Sequence, residues 1–386
     1  MDEIEIPTKP NEDELDIYRS EISKIDEQLL ELVSRRMEYS KKIGQYKIER
    51  SMTIKAFDVE SRVISKWENL ATERGLDRKL GHDLAKTLIH FSCQLQEKHL
   101  MTHMKKNLRE STGAPRKALI IGGAGNMGVW FTNFFLSFGY DVQIADHVTS
   151  PLKEEITQTD TRSFVKSSGQ NDVIVIAAPM HTVEGILTEL ETLQSKSIIF
   201  DISSLKSPLV EKLSSASKNL PGLVSIHPMF GPSADLLVDE NILICDLGNS
   251  QATAFATELF KQTAANIYVT TPKNHDEIMS EVLGLSHFVN LLFGHVLAST
   301  RLSPEEVYKA RSTTFNRQLE ICADVFSENP DLYFDIQSSN QFSSQLIERV
   351  KESIETLATS ILNKDRAPFV NSMRNVSQFL SEFERP

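Results

Sequence analysis

Apolar side chains recur at alternating spacings of three and four along the first part of the chain. The series is Leu15, Tyr18, Ile22, Ile25, Leu29 and Leu32. This spacing is typical of a helix that packs lengthwise against another helix. Arg36 takes the next position of the series, and apolar residues resume at Tyr39, Ile43 and Tyr46. A cation therefore interrupts an apolar helix face, which indicates a function for Arg36.

Helical periodicity extends through residues 12–107, with breaks near Met52-Thr53 and near Gly75. The segment has no proline and no strand-like alternation, so we predict an all-α first domain over 12–107. The sequence then turns polar and includes residues that favour turns: Ser111, Thr112, Gly113 and Pro115. We predict the domain linker at residues 108–116.

Short apolar runs alternate with helical stretches beyond this linker. The runs are Ala118–Ile121, Asp172–Ala177 and Ser197–Phe200. This alternation predicts an α/β Rossmann domain over residues 117–271, with a mostly parallel sheet covered on both faces by helices. Helical periodicity dominates again over residues 272–386, which predicts an all-α C-terminal domain of the kind that joins two subunits.

The composition narrows the class of protein. A chain of 386 residues exceeds the size of one ordinary core, so several domains are expected. Its net charge of -12 disfavours nucleic-acid binding. We predict a cytoplasmic protein, because the acidic start resembles no secretory signal and no apolar run spans a bilayer. Three scattered cysteines indicate neither a disulfide framework nor a metal site; they are Cys93, Cys245 and Cys322.

A glycine motif follows the first apolar run after the linker. Gly123, Gly125 and Gly128 form GxGxxG directly after a predicted strand and before a predicted helix. In this setting the glycines allow a tight turn, close approach of a pyrophosphate and close helix packing. A second predicted strand, Asp141–Ala145, ends at Asp146, at the expected distance for a carboxylate that binds the adenosine ribose. The motif predicts NAD binding, with NADP disfavoured by the acid.

A histidine lies among prolines and a glycine in the segment Ser225–Pro232. We predict a stiff loop here, outside helix and sheet. A neutral imidazole with a pKa of about 6.5 can accept a hydroxyl proton while hydride leaves the same carbon. His227 is therefore the candidate general base, although a histidine that only stabilises a turn fits the local sequence as well.

The part of the chain from residue 117 to 386 resembles the prephenate dehydrogenases of tyrosine biosynthesis. The resemblance rests on His227–Gly231 (HPMFG), Asp201–Lys206, His275-Asp276 and His287-Phe288. It implies that His227 takes the ring hydroxyl proton, hydride goes to NAD and the ring carboxylate leaves as CO2. The resemblance also implies roles for four more residues. Ser204 would align the substrate hydroxyl with the histidine, and Lys206 would lie near the cofactor. His275 would lie in the substrate cleft, and His287 would sense tyrosine as a feedback inhibitor.

One position departs from that family. The substrate-binding arginine of the family falls six residues before the proline of an Asn/Asp-Pro turn, which here is Asp324. A carboxylate there cannot bind another carboxylate. Arg317 lies seven residues earlier, two turns away on a similar helix face, and is the candidate substitute, although an ordinary surface arginine fits equally well.

Residues 12–100 resemble the all-helical chorismate mutases, whose site is a cage of cations and hydrogen-bond donors. The matching residues are Arg19, Arg36, Lys47, Glu60, Ser92 and Gln96. Arg36 and Lys47 are 11 residues apart and share a helix face. Arg19 lies about 25 Å from Arg36 along the helix, so we expect it to serve the partner's site in a homodimer. Ala56 and Val59 depart from the family's fullest motif.

These resemblances together predict a bifunctional enzyme that carries chorismate through prephenate to 4-hydroxyphenylpyruvate. A pericyclic rearrangement needs no nucleophile or metal, so orientation and electrostatic preorganisation would provide the catalysis in the first domain. Two other interpretations stay open. One is a cyclohexadienyl or arogenate dehydrogenase whose front domain is structural or regulatory. The other is a noncatalytic nucleotide-binding regulator.

Overall fold

The computed structural model describes residues 12–50, 52–110, 116–149, 157–159 and 171–383. The predicted linker 108–116 lies mostly outside the described residues. The chain divides into two compact units. Unit 1 consists of Met1–Glu110, Asp235–Asp239 and Phe260–Asn266, and unit 2 consists of Ser111–Ala234, Glu240–Leu259 and Ile267–Pro386.

Unit 1 contains three long helices. They are α1 (Glu12–Glu49), α2 (Phe57–Glu73) and α3 (Arg78–Glu110). The predicted breaks near residues 52 and 75 are confirmed. Gly75 has a φ of +70°, a left-handed conformation that glycine adopts without strain, and it ends α2. Close packing of α1 on α3 needs Gly44, where an added Cβ would lie 2.8 Å from Cγ of Gln96.

The first half of α1 keeps its apolar face uncovered. The six residues of its apolar series are each between 44% and 58% exposed: Leu15, Tyr18, Ile22, Ile25, Leu29 and Leu32. Only the second half of the helix contributes buried positions, such as Ser40. A continuous apolar stripe of this length costs free energy in water, because large exposed patches of a soluble protein normally contact a partner.

Unit 2 is built on an eight-stranded sheet in the order β3-β2-β1-β4-β5-β6-β7-β8. The strands are β1 (Lys117–Ile121), β2 (Asp141–Ala145), β3 (Thr157–Thr159), β4 (Val173–Ile176), β5 (Ile198–Asp201), β6 (Leu223–Pro228), β7 (Asn241–Cys245) and β8 (Asn266–Thr270). Neighbours from β3 to β6 pair in parallel, whereas β6 and β7 are antiparallel. The predicted mostly parallel sheet is confirmed.

Helices cover this sheet. They are α4 (Asn126–Ser137), α5 (Met180–Thr192), α6 (Val210–Asn219) and α7 (Ser250–Lys261). Residues from β1, β4, β5, α5 and α6 form one core, in which Leu119, Ile174 and Leu187 are fully buried. Carboxyl ends of parallel strands meet at one edge of a sheet, so the residues that follow β1, β2, β4, β5 and β6 are brought to a common edge.

The histidine segment departs from its prediction. We expected His227 in a loop, but His227 and Pro228 are the last two residues of β6, paired with Leu243 and Ile242 of β7. The proline is tolerated because β5 ends opposite Ser225, so the other side of β6 carries no strand pairing at this end. The loop prediction was therefore wrong.

The C-terminal part is helical, as predicted. Its helices are α8 (Pro272–Met279), α9 (Ser286–Ala298), α10 (Pro304–Lys309), α11 (Thr313–Ser327), α12 (Pro330–Ser339), α13 (Ser343–Leu362) and α14 (Arg366–Leu380). A π-helical turn, Ser280–Leu285, joins α8 to α9. Among the described residues, the run Pro272–Ala298 is long and apolar enough to cross a membrane, with a mean hydropathy of 1.3. One such helix is weak evidence for a membrane protein.

Candidate active sites

A glycine-rich turn connects β1 to α4 in unit 2. Gly122 has a φ of +82°, and an added Cβ there would lie 2.5 Å from the carbonyl oxygen of Ala177. A Cβ on Gly128 would lie 2.1 Å from the carbonyl oxygen of Gly122. Gly123 is equally confined, because its Cβ would lie 2.6 Å from Ile144. By contrast, a Cβ on Gly125 would meet its nearest atom at 3.4 Å, so this glycine borders open space.

Asp146 follows β2 and faces this turn. Its Oδ2 accepts a hydrogen bond from the backbone amide of Ala124 at 2.9 Å, and its Oδ1 accepts one from the amide of Val148 at 3.1 Å. The carboxylate is 8% exposed, whereas the neighbouring His147 side chain is 79% exposed and 3.3 Å from it. Asp146 is thus held in a fixed position at the predicted ribose site.

A cleft of about 780 Å³ opens between the glycine turn and the start of α5. Its lining includes Gly125, Asp146, Val148, Pro179 and Thr182. The residues fit a dinucleotide: small glycines at the N-terminus of α4 for the pyrophosphate, a buried carboxylate for a ribose, and apolar walls for an adenine. Of the four residues predicted to bind the nucleotide at this turn, Gly125 and Asp146 line the cleft, whereas Gly123 and Gly128 pack the turn itself.

Three buried side chains form a hydrogen-bonded chain at the carboxyl end of β6. Nδ1 of His227 lies 2.9 Å from Nε2 of His275, and Nδ1 of His275 lies 2.7 Å from Oδ1 of Asp276. His275 and Asp276 are fully buried, and His227 is 5% exposed. Burial holds the pKa of His227 well below its ordinary value, and the electrostatic effects of His275 and of the charged Lys206 lower it further. His227 is therefore neutral at physiological pH.

Lys206 was expected near the cofactor, and the structure places it in the interior. The side chain is fully buried, and its ammonium group donates to Asp201 Oδ2 at 3.2 Å, to the carbonyl oxygen of Ser203 at 2.5 Å and to that of Ile226 at 3.0 Å. All three N–H donors are thus used within the protein. Lys206 ties the end of β5 to the end of β6 and so positions His227, instead of reaching into the cleft.

Other residues predicted for the dehydrogenase site are placed differently. Ser204 is half-buried in the loop after β5, and its hydroxyl forms no hydrogen bond within the described part of the chain, so it is available to a ligand. Arg317 and Asp324 are both exposed on α11. The hydrogen bonds that surround His227 do not include Arg317, so its expected contact with substrate stays a prediction.

His287, the predicted regulatory residue, packs against another element of the C-terminal part. Its ring stacks on Tyr333 with centroids 4.3 Å apart, and burial lowers the pKa of the imidazole. Its Nδ1 is buried and has no hydrogen-bond partner within the described residues. Because an unpaired buried nitrogen costs free energy, this position is ready to form a hydrogen bond with a ligand.

A separate cavity of about 250 Å³ lies among the three helices of unit 1. Five of the six residues predicted for this domain line it, namely Arg36, Lys47, Glu60, Ser92 and Gln96. The departing positions Ala56 and Val59 line it too. The spacing argument from the sequence is therefore confirmed as far as it places these five side chains around one space.

Hydrogen bonds fix the polar groups of this cavity. Arg36 donates to Ser92 Oγ at 2.6 Å and to the carbonyl oxygen of Leu88 at 2.8 Å. Lys47 donates to the carbonyl oxygen of Ile54. Burial lowers the pKa of both cations from values far above 7, so both stay charged. The cavity therefore presents two preorganised positive charges.

Gln96 has a buried polar atom without a partner. Its Nε2 donates to Ser40 Oγ at 3.1 Å, whereas its Oε1 has no partner within the described residues. On the opposite side of the cavity, Glu60 accepts a hydrogen bond from the amide of Ala56 at 3.3 Å. Arg19 is absent from the lining and instead lies exposed beside Asp16 at 3.2 Å.

Comparison with known families identifies the domains of this chain. Residues 18–97 match the family model for chorismate mutase type II. Residues 138–269 match the nucleotide-binding domain of prephenate dehydrogenase, and residues 271–375 match its dimerization domain. The chain belongs to the bifunctional chorismate mutase/prephenate dehydrogenases. Unit 1 thus contains the residues that match chorismate mutase, and His227, His275 and Asp276 lie within the parts that match prephenate dehydrogenase.

Two T-proteins are similar to this chain over nearly its whole length. The T-protein of Enterobacter agglomerans is 25% identical over 370 residues, which cover 96% of this chain and 94% of that protein. The T-protein of Haemophilus influenzae is 23% identical and covers 95% of this chain and 92% of that protein. A probable arogenate/prephenate dehydrogenase of Methanocaldococcus jannaschii is 25% identical over 274 residues, 69% of this chain and 61% of that protein.

Solved structures share the fold of the dehydrogenase part. Prephenate dehydrogenase of A. aeolicus, in complex with hydroxyphenyl propionate and NAD+, aligns with a TM-score of 0.56 and 18% identity. The alignment covers 71% of this chain and 100% of that one. Arogenate dehydrogenase of Synechocystis aligns with a TM-score of 0.54 and 16% identity, over 69% of this chain and 99% of that one.

Sequence reasoning missed several residues of both sites. In the mutase domain, buried Ser40 anchors Gln96, and no local motif marks it. In the dehydrogenase, Gly122 has the positive φ of the tight turn, and its place directly before GxGxxG was the available signal. Asp276 was noted only as the neighbour of His275, although its carboxylate ends the hydrogen-bonded chain.

Proposed function

We propose that this enzyme rearranges chorismate to prephenate in its mutase domain and oxidatively decarboxylates prephenate to 4-hydroxyphenylpyruvate in its dehydrogenase domain. The observation that carries this proposal is the convergence of Arg36, Lys47, Glu60, Ser92 and Gln96 on one cavity, in a chain that also holds a buried base. Both steps belong to tyrosine biosynthesis, and NAD is the cofactor of the second.

The mutase step requires a compact conformer of a dianion. Arg36 and Lys47 present charges that neutralise carboxylates and hold the two reacting ends of the substrate together. Lys47 and the amide of Gln96 stabilise the negative charge that grows on the ether oxygen, while Glu60 holds the ring hydroxyl. The rearrangement breaks one C–O bond and forms one C–C bond within the substrate, so the protein moves no proton.

The dehydrogenase step requires a base that is neutral in the free enzyme. NAD, when bound, supplies the hydride acceptor. His227 takes the proton of the ring hydroxyl, and Ser204 holds that hydroxyl in register with the imidazole. The ring carboxylate then leaves as CO2, and the electron pair of the broken C–C bond completes the aromatic ring. The resulting phenolate takes the proton back, so His227 is neutral at the end of the cycle.

The side chain of the substrate is a further point of recognition. Asp324 stands where the resembling dehydrogenases have an arginine, and Arg317 lies on the same helix. We assign Arg317 to the side-chain carboxylate of prephenate. Arogenate, which has an amino group in place of the keto group of prephenate, is the second candidate substrate, because its protonated amino group is attracted by a carboxylate at position 324, whereas the side chain of prephenate carries no positive charge.

Assembly and regulation complete the proposal. The uncovered apolar face of α1 is covered by a second copy of the chain, which brings Arg19 to the partner's mutase cavity. His287, with its unpaired Nδ1 beside Tyr333, is the site of feedback inhibition by tyrosine. The protein acts in the cytoplasm, where chorismate and NAD are available to it.

Steady-state assays with chorismate, prephenate and arogenate, each with NAD and with NADP, test this function. Chorismate with NAD should yield both NADH and 4-hydroxyphenylpyruvate from one purified protein. Oxidation of arogenate in preference to prephenate would replace the substrate assignment but keep the hydride chemistry. Tight binding of chorismate and NAD with no NADH formed from any of the three substrates would overturn the enzyme assignment in favour of a regulator.

A further inference from the structure

The carboxylate of Asp276 is held by donors on every side. It accepts hydrogen bonds from the backbone amide of Lys206 at 2.9 and 3.1 Å, and from both the amide and the hydroxyl of Ser207. Burial raises the pKa of this carboxyl group, but the hydrogen bonds from His275, Ser207 and Lys206 outweigh burial and hold it below its ordinary value. Asp276 is therefore ionised and can only accept hydrogen bonds.

This state of Asp276 fixes the protons of the next residue. His275 Nδ1 lies 2.7 Å from Oδ1 of Asp276 and must carry a proton, because an ionised carboxylate cannot donate one. Burial lowers the pKa of His275 against the opposing effect of Asp276, so the ring is neutral. A neutral imidazole has one N–H, which leaves Nε2 of His275 as an acceptor.

The same reasoning extends to His227. Its Nδ1 lies 2.9 Å from the acceptor Nε2 of His275, so Nδ1 of His227 must be the donor. The lone pair of His227 is then on Nε2. We propose that His275 and Asp276 are positioning residues that hold His227 in the tautomer protonated at Nδ1 and so make Nε2 its basic atom. The inference deepens the proposed function, because it rests on His227 as the general base.

The chain also stabilises the product of proton uptake. When Nε2 of His227 gains a proton, the imidazolium shares its charge through His275 with ionised Asp276. The charged neighbours are the Lys206–Asp201 pair, whose opposite charges offset each other. Cys245 on β7 is neutral, because burial raises the pKa of its thiol to about 12. Asp276 is thus the group whose negative charge stabilises the protonated form of the base.

Asp276→Asn is the deciding variant. The two donors of Ser207 face Oδ2, so the amide carbonyl takes that position and the NH2 group turns towards His275. His275 must then accept at Nδ1 and donate from Nε2, and His227 must accept at Nδ1 and carry its proton on Nε2. The tautomer of His227 is inverted, so kcat should fall by about 10²–10⁴-fold with little change in KM for NAD.

The direct readout is the tautomer in the enzyme without substrate or cofactor. Two-bond ¹H–¹⁵N correlation spectra of histidine-labelled protein, assigned with His227→Asn and His275→Asn, distinguish the two protonated nitrogens. We expect Nδ1–H in the wild type, Nε2–H in Asp276→Asn, and Nδ1–H again in Ser207→Ala, where backbone amides still hold the carboxylate. A thermal melt of each variant verifies that it is folded.

The outcomes separate this inference from the function on which it rests. Nε2–H on His227 in the wild type, or an unchanged tautomer in folded Asp276→Asn, would overturn the positioning role and leave the general base untouched. Near-normal kcat in His227→Asn would instead show that His227 is not the general base. Inversion of the tautomer together with the loss of kcat supports both.

Discussion

Oδ2 of Asp146 accepts a hydrogen bond from the backbone amide of Ala124, at 2.9 Å, so the residue predicted to bind the ribose also holds the glycine turn. Replacing Asp146 therefore affects two parts of the nucleotide site, the ribose hydroxyls and the turn beneath the pyrophosphate. This relationship leads to the first prediction.

Asp146→Ala should lower kcat/KM for NAD by roughly 10- to 100-fold, the value of one or two hydrogen bonds to a charged group. The value for NADP should fall less, because the repulsion of its 2′-phosphate disappears together with the hydrogen bonds. Both constants are measured at saturating prephenate. Asp141→Ala is the matched control, since that exposed carboxylate lies at the opposite end of β2 and does not line the cleft. An unchanged ratio of NAD to NADP use would show that another residue reads the ribose.

The pH profile of the dehydrogenase reports on His227. Burial, together with the electrostatic effects of His275 and Lys206, holds its pKa well below the ordinary value of about 6.5, so the base stays neutral as the pH falls through that value. The acidic limb of kcat/KM for prephenate should therefore lie well below pH 6.5, lower than the sequence alone suggests. In His227→Asn, kcat should fall by about 10²–10⁴-fold and the limb should vanish. A limb that persists in the folded variant would assign it to another group.

Arg36→Ala should abolish mutase turnover and leave the dehydrogenase nearly intact. The guanidinium supplies a preorganised charge and holds Ser92 at 2.6 Å, whereas His227 belongs to the other unit. The measurement compares chorismate consumption with NADH formation from supplied prephenate. Arg35→Ala, one residue away on the exposed side of α1, is the control. Equal loss of both activities in a folded protein would contradict two independent sites.

Arg19 tests the shared mutase site by complementation. Arg19→Ala and Arg36→Ala should each be inactive as homodimers, since each lacks one cation per cavity. In a mixed dimer, one cavity combines an intact Arg36 with the partner's intact Arg19, so random mixing should restore about a quarter of the wild-type mutase activity. Activity is measured after joint unfolding and refolding. No gain on mixing would show that Arg19 does not act across the dimer.

Glu97 should make unfolding depend on pH. Its carboxyl group is fully buried and accepts a hydrogen bond from the amide of Leu237 at 3.0 Å, within unit 1. Burial raises its pKa to about 7, while the amides of Leu237, Ala264 and Val238 only partly offset the effect. Because the folded pKa is above the unfolded value, the contribution of Glu97 is fully present below about pH 4.5 and is lost as the pH rises through about 7.

Glu97→Gln keeps the shape and the acceptor but removes the charge. The variant should be more stable than the wild type at pH 8, by up to roughly 3 kcal/mol, and close to it at pH 4. Denaturant unfolding at the two pH values measures the difference. Glu73→Gln on an exposed helix end is the control. Equal stability of the variant and the wild type at pH 8 would mean that folding does not raise the pKa of Glu97.

Regular periodicity allowed much of the fold to be predicted. The strand Asp141–Ala145 was predicted at its observed bounds, because it is a short apolar run limited by Asp146 and by a glycine turn. The face of α1 that carries Arg36 and Lys47 was also predicted, since helix geometry alone determines which residues share a face. Both predictions needed only local geometry.

Tertiary contacts account for the errors. Pro228 suggested a loop, and only the early end of β5 opposite Ser225 explains why a strand can include it. The expectation that Lys206 lies near the cofactor stays a prediction, and the burial of its side chain between Asp201 and the carbonyl of Ile226 could not be read from spacing. His275 likewise needed the 2.9 Å contact with His227, 48 residues away, before its relation to the base was visible.

The position of His227 within β6 has a consequence for how the enzyme loses activity on heating. A base on a loop can be displaced by local opening long before the domain melts, whereas His227 shares its strand register with Leu243 and moves only with the sheet. Its backbone should therefore exchange hydrogen for deuterium as slowly as the strands around it. Thermal inactivation of the dehydrogenase should coincide with cooperative melting of that sheet.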